Sequence, residues 1–214
     1  NIILVSIRVF KMLKNILFDF GNVVMNYDPD KILDHYDLSS ADHELLKKVI
    51  FQSEEWLEID RGNLSEDEAT KIFIKKLPEH LHDQARNLMQ TWQSKMTIYQ
   101  DVFDWMKELK AQGYHIYALS NTGMRFANYL MKSKYGENFD GGIFSAAEKL
   151  MKPNMSIYQK LLTRYDLKAE DCLFIDDLKE NTAAAEDVGM HGFTFWIDKL
   201  PELKSYVSKL RKEN

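Results

Sequence analysis

Asn15-Ile16-Leu17-Phe18-Asp19-Phe20-Gly21-Asn22-Val23-Val24 decides how this chain is read. The apolar run Ile16-Leu17-Phe18 is short and does not alternate with polar residues. That pattern belongs to a strand buried on both faces, as in a parallel sheet covered by helices. It predicts a strand over Asn15–Phe20 with Asp19 near its carboxyl end. Open α/β sheets bind ligands outside the carboxyl ends of their strands, so the aspartate stands where a ligand would sit. A lone aspartate there reads equally well as the N-cap of a helix.

Four more runs repeat the pattern and predict strands at His115–Ser120, Gly142–Phe144, Leu173–Asp176 and Phe193–Trp196. Helical segments separate them. Asp101 opens one with Val102, Met106 and Leu109 on one face and Gly113 just past its end. Pro153 suits the first turn of another, which carries Ile157, Leu161 and Tyr165. Asn181 leads into Ala183, Ala184, Ala185 and Val188, closed by Gly189, and Pro201 begins a last helix with Leu203, Val207 and Leu210. The alternation predicts an α/β fold, a Rossmann-like parallel sheet with helices on both faces.

One interval breaks the alternation. Between the first strand and Asp101 lie about eighty residues without a strand signal, too many for a loop. Helices fit near Lys31–Tyr36, Ala41–Phe51, Ser65–Lys76 and Gln84–Lys95, with Ser65 and Glu68 spaced as a capping box. The interval predicts an all-helical cap subdomain over residues 29–96, inserted into a core of residues 12–28 and 97–214. Residues 1–11 read either as an added edge strand or as sequence upstream of a start at Met12. The second is preferred, because the first core strand begins only near Lys14.

The 214 residues are 45% hydrophobic and 29% charged, the balance of a globular domain large enough for such a core. A net charge of −5 leaves no basic face for nucleic acid or anionic lipid. No run of about 18 apolar residues is present, so no membrane span is expected. Arg8 and Lys11 interrupt the first segment too early for a signal peptide. Cys172 stands alone, which excludes an intrachain disulfide and fits a reducing, cytoplasmic setting. His80 and His82 lack a third ligand at useful spacing, so zinc is not expected.

The predicted fourth strand ends in Phe174-Ile175-Asp176-Asp177, so three aspartates close two strands. Packed together they repel and take up protons unless a cation compensates. Hard oxygen ligands with room for water suit Mg²⁺. Leu119-Ser120-Asn121-Thr122 puts a hydroxyl and backbone N–H groups at a helix start, where phosphoryl oxygens can be held, though Ser and Thr are also common caps. Lys149-Leu150-Met151-Lys152-Pro153 precedes another helix; a lysine there is commonly a solvated charge.

The order Asp-x-x-Asn-Val-Val, Ser-Asn, Lys-Pro and Phe-Ile-Asp-Asp-x-x-x-Asn, spanning Lys14 to about Trp196, resembles the four motifs of the haloacid dehalogenase-like superfamily. The long insertion resembles that superfamily's helical cap. In motif form the chain is similar to the glucose-1-phosphate phosphatase-like branch and to the phosphatase domain of soluble epoxide hydrolases. The resemblance implies a Mg²⁺-dependent phosphatase acting on a small phosphorylated metabolite, such as a hexose 1-phosphate. It implies Asp19 as nucleophile and metal ligand, with the Gly21 carbonyl and Asp177 completing the coordination and Asp176 supporting it. Ser120 and Asn121 would hold the phosphoryl group, and Lys152 would neutralise it together with Asp19.

The pattern departs from the wider superfamily at Gly21, where most members carry a second aspartate as general acid and base. Without that acid the enzyme is expected to favour sugar 1-phosphates, whose leaving oxygen is less basic than that of an alkyl phosphate; the alternative is that Asp28 or a cap residue such as Arg61 supplies the help. Asp60-Arg61-Gly62 reads either as a turn or as a cleft-facing loop in which Arg61 touches substrate. A 2-haloacid dehalogenase and a non-catalytic binding protein are the competing readings. The first has no use for two extra carboxylates, and the second is hard to square with an intact Asp19, Ser120, Lys152 and Asp177.

Overall fold

The computed structural model describes residues 13–212, so the readings placed on residues 1–11 lie outside the described residues. Among the described residues seven strands form two sheets: β1 (Asn15–Phe18), β2 (Met25–Asn26), β3 (Thr97–Ile98), β4 (His115–Ser120), β5 (Gly141–Phe144), β6 (Cys172–Asp176) and β7 (His191–Thr194). The main sheet is parallel throughout, in the order β5-β4-β1-β6-β7. β1 is central, so Asp19, one residue beyond it, faces the crevice where the strand order reverses.

Both faces of the sheet are covered. Ile16, Phe18, Ile116, Ala118, Leu173 and Ile175 pack on one side with α6 (Gln100–Ala111) and α11 (Leu200–Lys212). Leu17, Leu119, Ile143 and Phe174 pack on the other with α9 (Met155–Arg164) and α10 (Lys179–Asp187). Successive residues of one strand thus enter two different cores, which is why the strands show no polar alternation. Gly113, at φ +90°, ends α6 in the left-handed region that a helix C-terminus commonly uses.

β7 lies two residues earlier than the predicted Phe193–Trp196. Phe195 still enters the core and Trp196 is 49% exposed, so the aromatic run marks the exit of the edge strand rather than its paired part. At the opposite edge, the Tyr165 hydroxyl accepts from Gly142 N (2.7 Å) and donates to Gly142 O (3.0 Å).

The insertion holds α1 (Pro29–Leu33), α2 (Ser40–Leu46), α3 (Glu54–Asp60), α4 (Glu66–Lys76) and α5 (His82–Thr91), with a π turn at Lys47–Phe51. The Ser65–Glu68 capping box is formed. The structure adds α3, a helix outside the four expected in the insertion; Ser53 caps it through Trp56 N at 3.1 Å. It also adds a short antiparallel ladder, β2 with β3, that ties the two ends of the insertion together. Apolar residues of the insertion, among them Phe51, Phe73 and Trp92, form one continuous cluster with the α6 face of the sheet.

Candidate active site

Asp19 is buried, and its backbone N–H donates to Ile175 O at 3.0 Å, which locks the end of β1 to β6. Lys152 reaches between the two strand ends. Its Nζ lies 2.9 Å from Asp19 Oδ1 and 2.6 Å from Asp176 Oδ2, with only 1% of its side chain exposed. Burial opposes charge on Lys152, but Asp19 and Asp176 together outweigh it and raise its pKa. Burial lifts the Asp19 carboxyl to about 6; Lys152 pulls it down and Asp176 pushes it up.

Lys152 is placed through its own peptide. Asn121 Nδ2 donates to Lys152 O, and Lys152 N donates to Asn121 Oδ1, both at 2.9 Å. The Asn121 side chain therefore clamps the lysine loop to the end of β4, a role the sequence reading did not assign. Ser120, the last residue of β4, is buried beside Asp19 and hydrogen-bonds to it.

Both oxygens of Asp176 are engaged: Oδ1 accepts from Leu178 N and Asn181 Nδ2, each at 2.9 Å, and Oδ2 accepts from Lys152. Asp177 is freer. Its Oδ2 accepts from Asn22 Nδ2 at 3.0 Å, and burial raises its pKa. Asn22 sits at φ +57°, a conformation asparagine tolerates, and its Oδ1 takes the Tyr27 N–H. The turn after Asp19 is thereby tied to the end of β6.

Oxygens of Asp19, Asp176 and Asp177 lie within 4.8 Å of one another. Three carboxylates face one ammonium, and a hard divalent cation fits that donor set. Because Asp176 is saturated, Asp19 and Asp177 are the carboxylates left to hold such an ion, with the Gly21 carbonyl on the same cleft.

The cleft has a volume of about 390 Å³. Asp19, Gly21, Ser120, Asn121, Lys152 and Asp177 converge on it, as expected. Arg61 does not. It ion-pairs with Glu54 (2.7 Å) and Glu58 (2.5 Å) on its own helix and does not line the cleft. The expectation that it touches substrate is corrected: these two glutamates hold it along α3. Asp28 is likewise occupied, capping α1 through Asp30 N and Lys31 N.

The cleft residue the sequence missed is Asp60, the last residue of α3. The remaining wall is aromatic. Trp56 and Trp92 lie 5.1 Å apart, Trp92 and Phe126 5.4 Å, and Phe51 stands 4.8 Å from Trp56. Met25, Tyr27 and Met96 complete it. The insertion approaches the core so closely that Gly62 (φ +75°) would place a Cβ 2.1 Å from Ala146 O.

The family model for haloacid dehalogenase-like hydrolases matches residues 13–189. The chain is 28% identical over 187 residues to a sesquiterpene phosphatase of Aspergillus oryzae, covering 84% of this chain and 88% of that protein. It is 26% identical to a D-ribitol-5-phosphate phosphatase of Bacteroides thetaiotaomicron, covering 85% and 91%. Among solved structures it is similar to a haloacid dehalogenase family enzyme of B. thetaiotaomicron in complex with magnesium and inorganic phosphate, at a TM-score of 0.65 and 23% identity, covering 85% and 93%.

Proposed function

The chain belongs to the haloacid dehalogenase-like hydrolases, and from that premise we propose that it is a Mg²⁺-dependent phosphatase forming an aspartyl-phosphate on Asp19. The observation that carries the reading is Asp19 held against Lys152 at 2.9 Å, with Ser120 and Asp177 beside it. A phosphate dianion approaching a carboxylate is repelled, and Lys152 offsets part of that repulsion. Mg²⁺ bound by Asp19, Asp177 and the Gly21 carbonyl would supply further positive charge and polarise a phosphoryl oxygen. Ser120 Oγ and the Asn121 N–H hold the remaining phosphoryl oxygens. Water then opens the acyl-phosphate, splitting one hard step into two. A metal-free displacement at carbon, as in a 2-haloacid dehalogenase, would gain nothing from Asp177.

The alcohol half of the substrate is read from the walls. Phe51, Trp56, Trp92 and Phe126 offer apolar faces and few hydroxyl-binding groups, which favours a phosphomonoester of a bulky apolar alcohol. Similarity to a sesquiterpene phosphatase supports this. A sugar phosphate such as a hexose 1-phosphate is the second reading, supported by similarity to a ribitol-5-phosphate phosphatase. The insertion over residues 29–96 serves in either case as the lid of the cleft.

Phosphate release from an isoprenoid monophosphate, a hexose 1-phosphate and p-nitrophenyl phosphate, with Mg²⁺ or EDTA, tests all of this. Release only with Mg²⁺ is expected, fastest per unit concentration for the isoprenoid ester. Turnover untouched by EDTA overturns the metal role, and no release from any ester overturns the phosphatase.

A further inference from the structure

Phosphoryl transfer to Asp19 leaves an alkoxide that needs a proton, and the later attack of water needs a proton taken away. Of the titratable groups on the cleft, Lys152 is bound to two carboxylates, Asp19 carries the phosphoryl group, and Asp177 faces Asn22 and the cation site. The Tyr27 hydroxyl is pushed far above its usual range by burial and by Asp60, so it neither gives up a proton readily nor recovers one as a base. Gly21 has no side chain, and Asp28 and Arg61 are committed elsewhere. Asp60 remains.

We propose that the Asp60 carboxyl is the acid that protonates the departing alcohol and the base that later deprotonates the attacking water. This assignment rests on the phosphatase reading above. Its geometric basis is the way Asp60 is held. Asp60 O accepts from Ser145 Oγ at 2.5 Å, and the same Oγ accepts from Thr122 N at 2.8 Å. The Gly123 N–H on that loop favours the charged form of the Asp60 carboxyl. A residue of the insertion is thus fixed to the very loop that follows Ser120. Among the described residues Asp60 has no ion-pair partner, unlike Arg61 next to it.

The groups facing Asp60 are Glu66 from α4, Asp19 from the end of β1 and Tyr27. Burial, opposed by the Gly123 N–H and reinforced by Glu66 and Asp19, lifts its carboxyl to about 7. An acid near neutrality can both give and recover a proton at working pH.

The steps balance. As the Asp19 Oδ–P bond forms, the ester P–O bond breaks and its electron pair stays on the alcohol oxygen, which takes the Asp60 proton. Water then attacks phosphorus, the bond to Asp19 breaks with its pair returning to the carboxylate, and the water proton goes to Asp60. Alcohol and inorganic phosphate leave, and the enzyme is restored.

The test compares esters by the basicity of the leaving oxygen. In Asp60→Asn, single-turnover alcohol release from an alkyl phosphate should fall roughly 10²–10⁴-fold. Release of p-nitrophenolate needs no proton, so its first turnover should fall far less and appear as a burst of about one equivalent per enzyme before a slow steady state. Equal loss on both esters, or no loss on either, overturns the proposal while leaving the phosphatase standing. A wild-type enzyme inactive on both esters overturns the phosphatase and the proposal together. Asp60→Ser is read the same way if Asp60→Asn does not fold.

Discussion

The sheet side and the insertion side of the cleft are built differently. On the sheet side the groups that frame the nucleophile are tied down: Lys152 by two aspartates, Asp176 by three donors, the Asn121 amide by the lysine's own peptide. On the insertion side lie aromatic rings and one carboxyl without an ion pair. The first side must hold charge in fixed geometry, because phosphoryl transfer rewards positioning above all. The second must accept a variable alcohol and move one proton. Paired networks give rigidity, and a half-buried acid without an ion pair gives reactivity at some loss of stability.

The sheet side is most sensitive at the nucleophile. Asp19→Asn should cut phosphate release by at least about 10³-fold with the fold intact, measured by steady-state turnover and circular dichroism. Next in size is Lys152→Met, which leaves Asp19 and Asp176 buried together without their cation. A loss of about 3–5 kcal/mol in urea unfolding is expected. If the sheet side is rigid because its charges are paired, no single substitution on the insertion side should match that loss unless it opens a cavity.

On the insertion side, Trp56→Ala should lower kcat/KM for an isoprenoid phosphate by roughly 10–200-fold and leave a hexose phosphate little changed. Equal losses on both would show that the aromatic wall shapes the cleft without selecting substrate. Gly21→Asp adds a carboxyl on the sheet side. The nearest atom to an added Cβ is Tyr27 Cβ at 3.5 Å, an ordinary contact, so the turn accepts the change. In an Asp60→Asn background it should return roughly tenfold or more of the alkyl-phosphate rate.

The smallest effect is one of pH. Asp60 holds its proton up to about 7 in the folded chain, against about 4 when unfolded. Between those values the folded state binds more protons, so the metal-free protein loses stability as pH rises through the window. Asp60→Asn removes that contribution. It should be on the order of 1–2 kcal/mol more stable than the parent at pH 8 and nearly equal to it at pH 4, by urea unfolding in EDTA. A gain in stability joined to a loss in catalysis is what a functional carboxyl should show.

The sheet was legible because β1, β4 and β6 each feed two cores and so read as unbroken apolar runs. Asp19, Ser120, Lys152 and Asp177 were legible because motif order and strand ends agree. α3 was not, since seven residues give too little periodicity and its start rests on the Ser53 cap followed by Glu54 and Glu55. Arg61 was misread and Asp60 overlooked for one reason: which of two neighbours faces a cleft depends on helix phase, and the helix itself was not seen. A signal did exist. An aspartate in the last turn of a helix opposes the macrodipole, and a residue placed against its local preference invites a functional question.

Tyr165 has a consequence for how the molecule behaves in crowded solution. β5 is an outer strand of the main sheet, and such strands present unpaired peptide groups to any passing chain. Here the phenol closes that offer by occupying both the N–H and the carbonyl of Gly142. Its ring also lies where a side chain on Gly141 would have to go. Glycine at the strand and the tyrosine that follows α9 therefore act together as a guard against edge-to-edge polymerisation. Tyr165→Phe keeps the ring and gives up the guard, so light scattering at high protein concentration would register the change before any assay of turnover did.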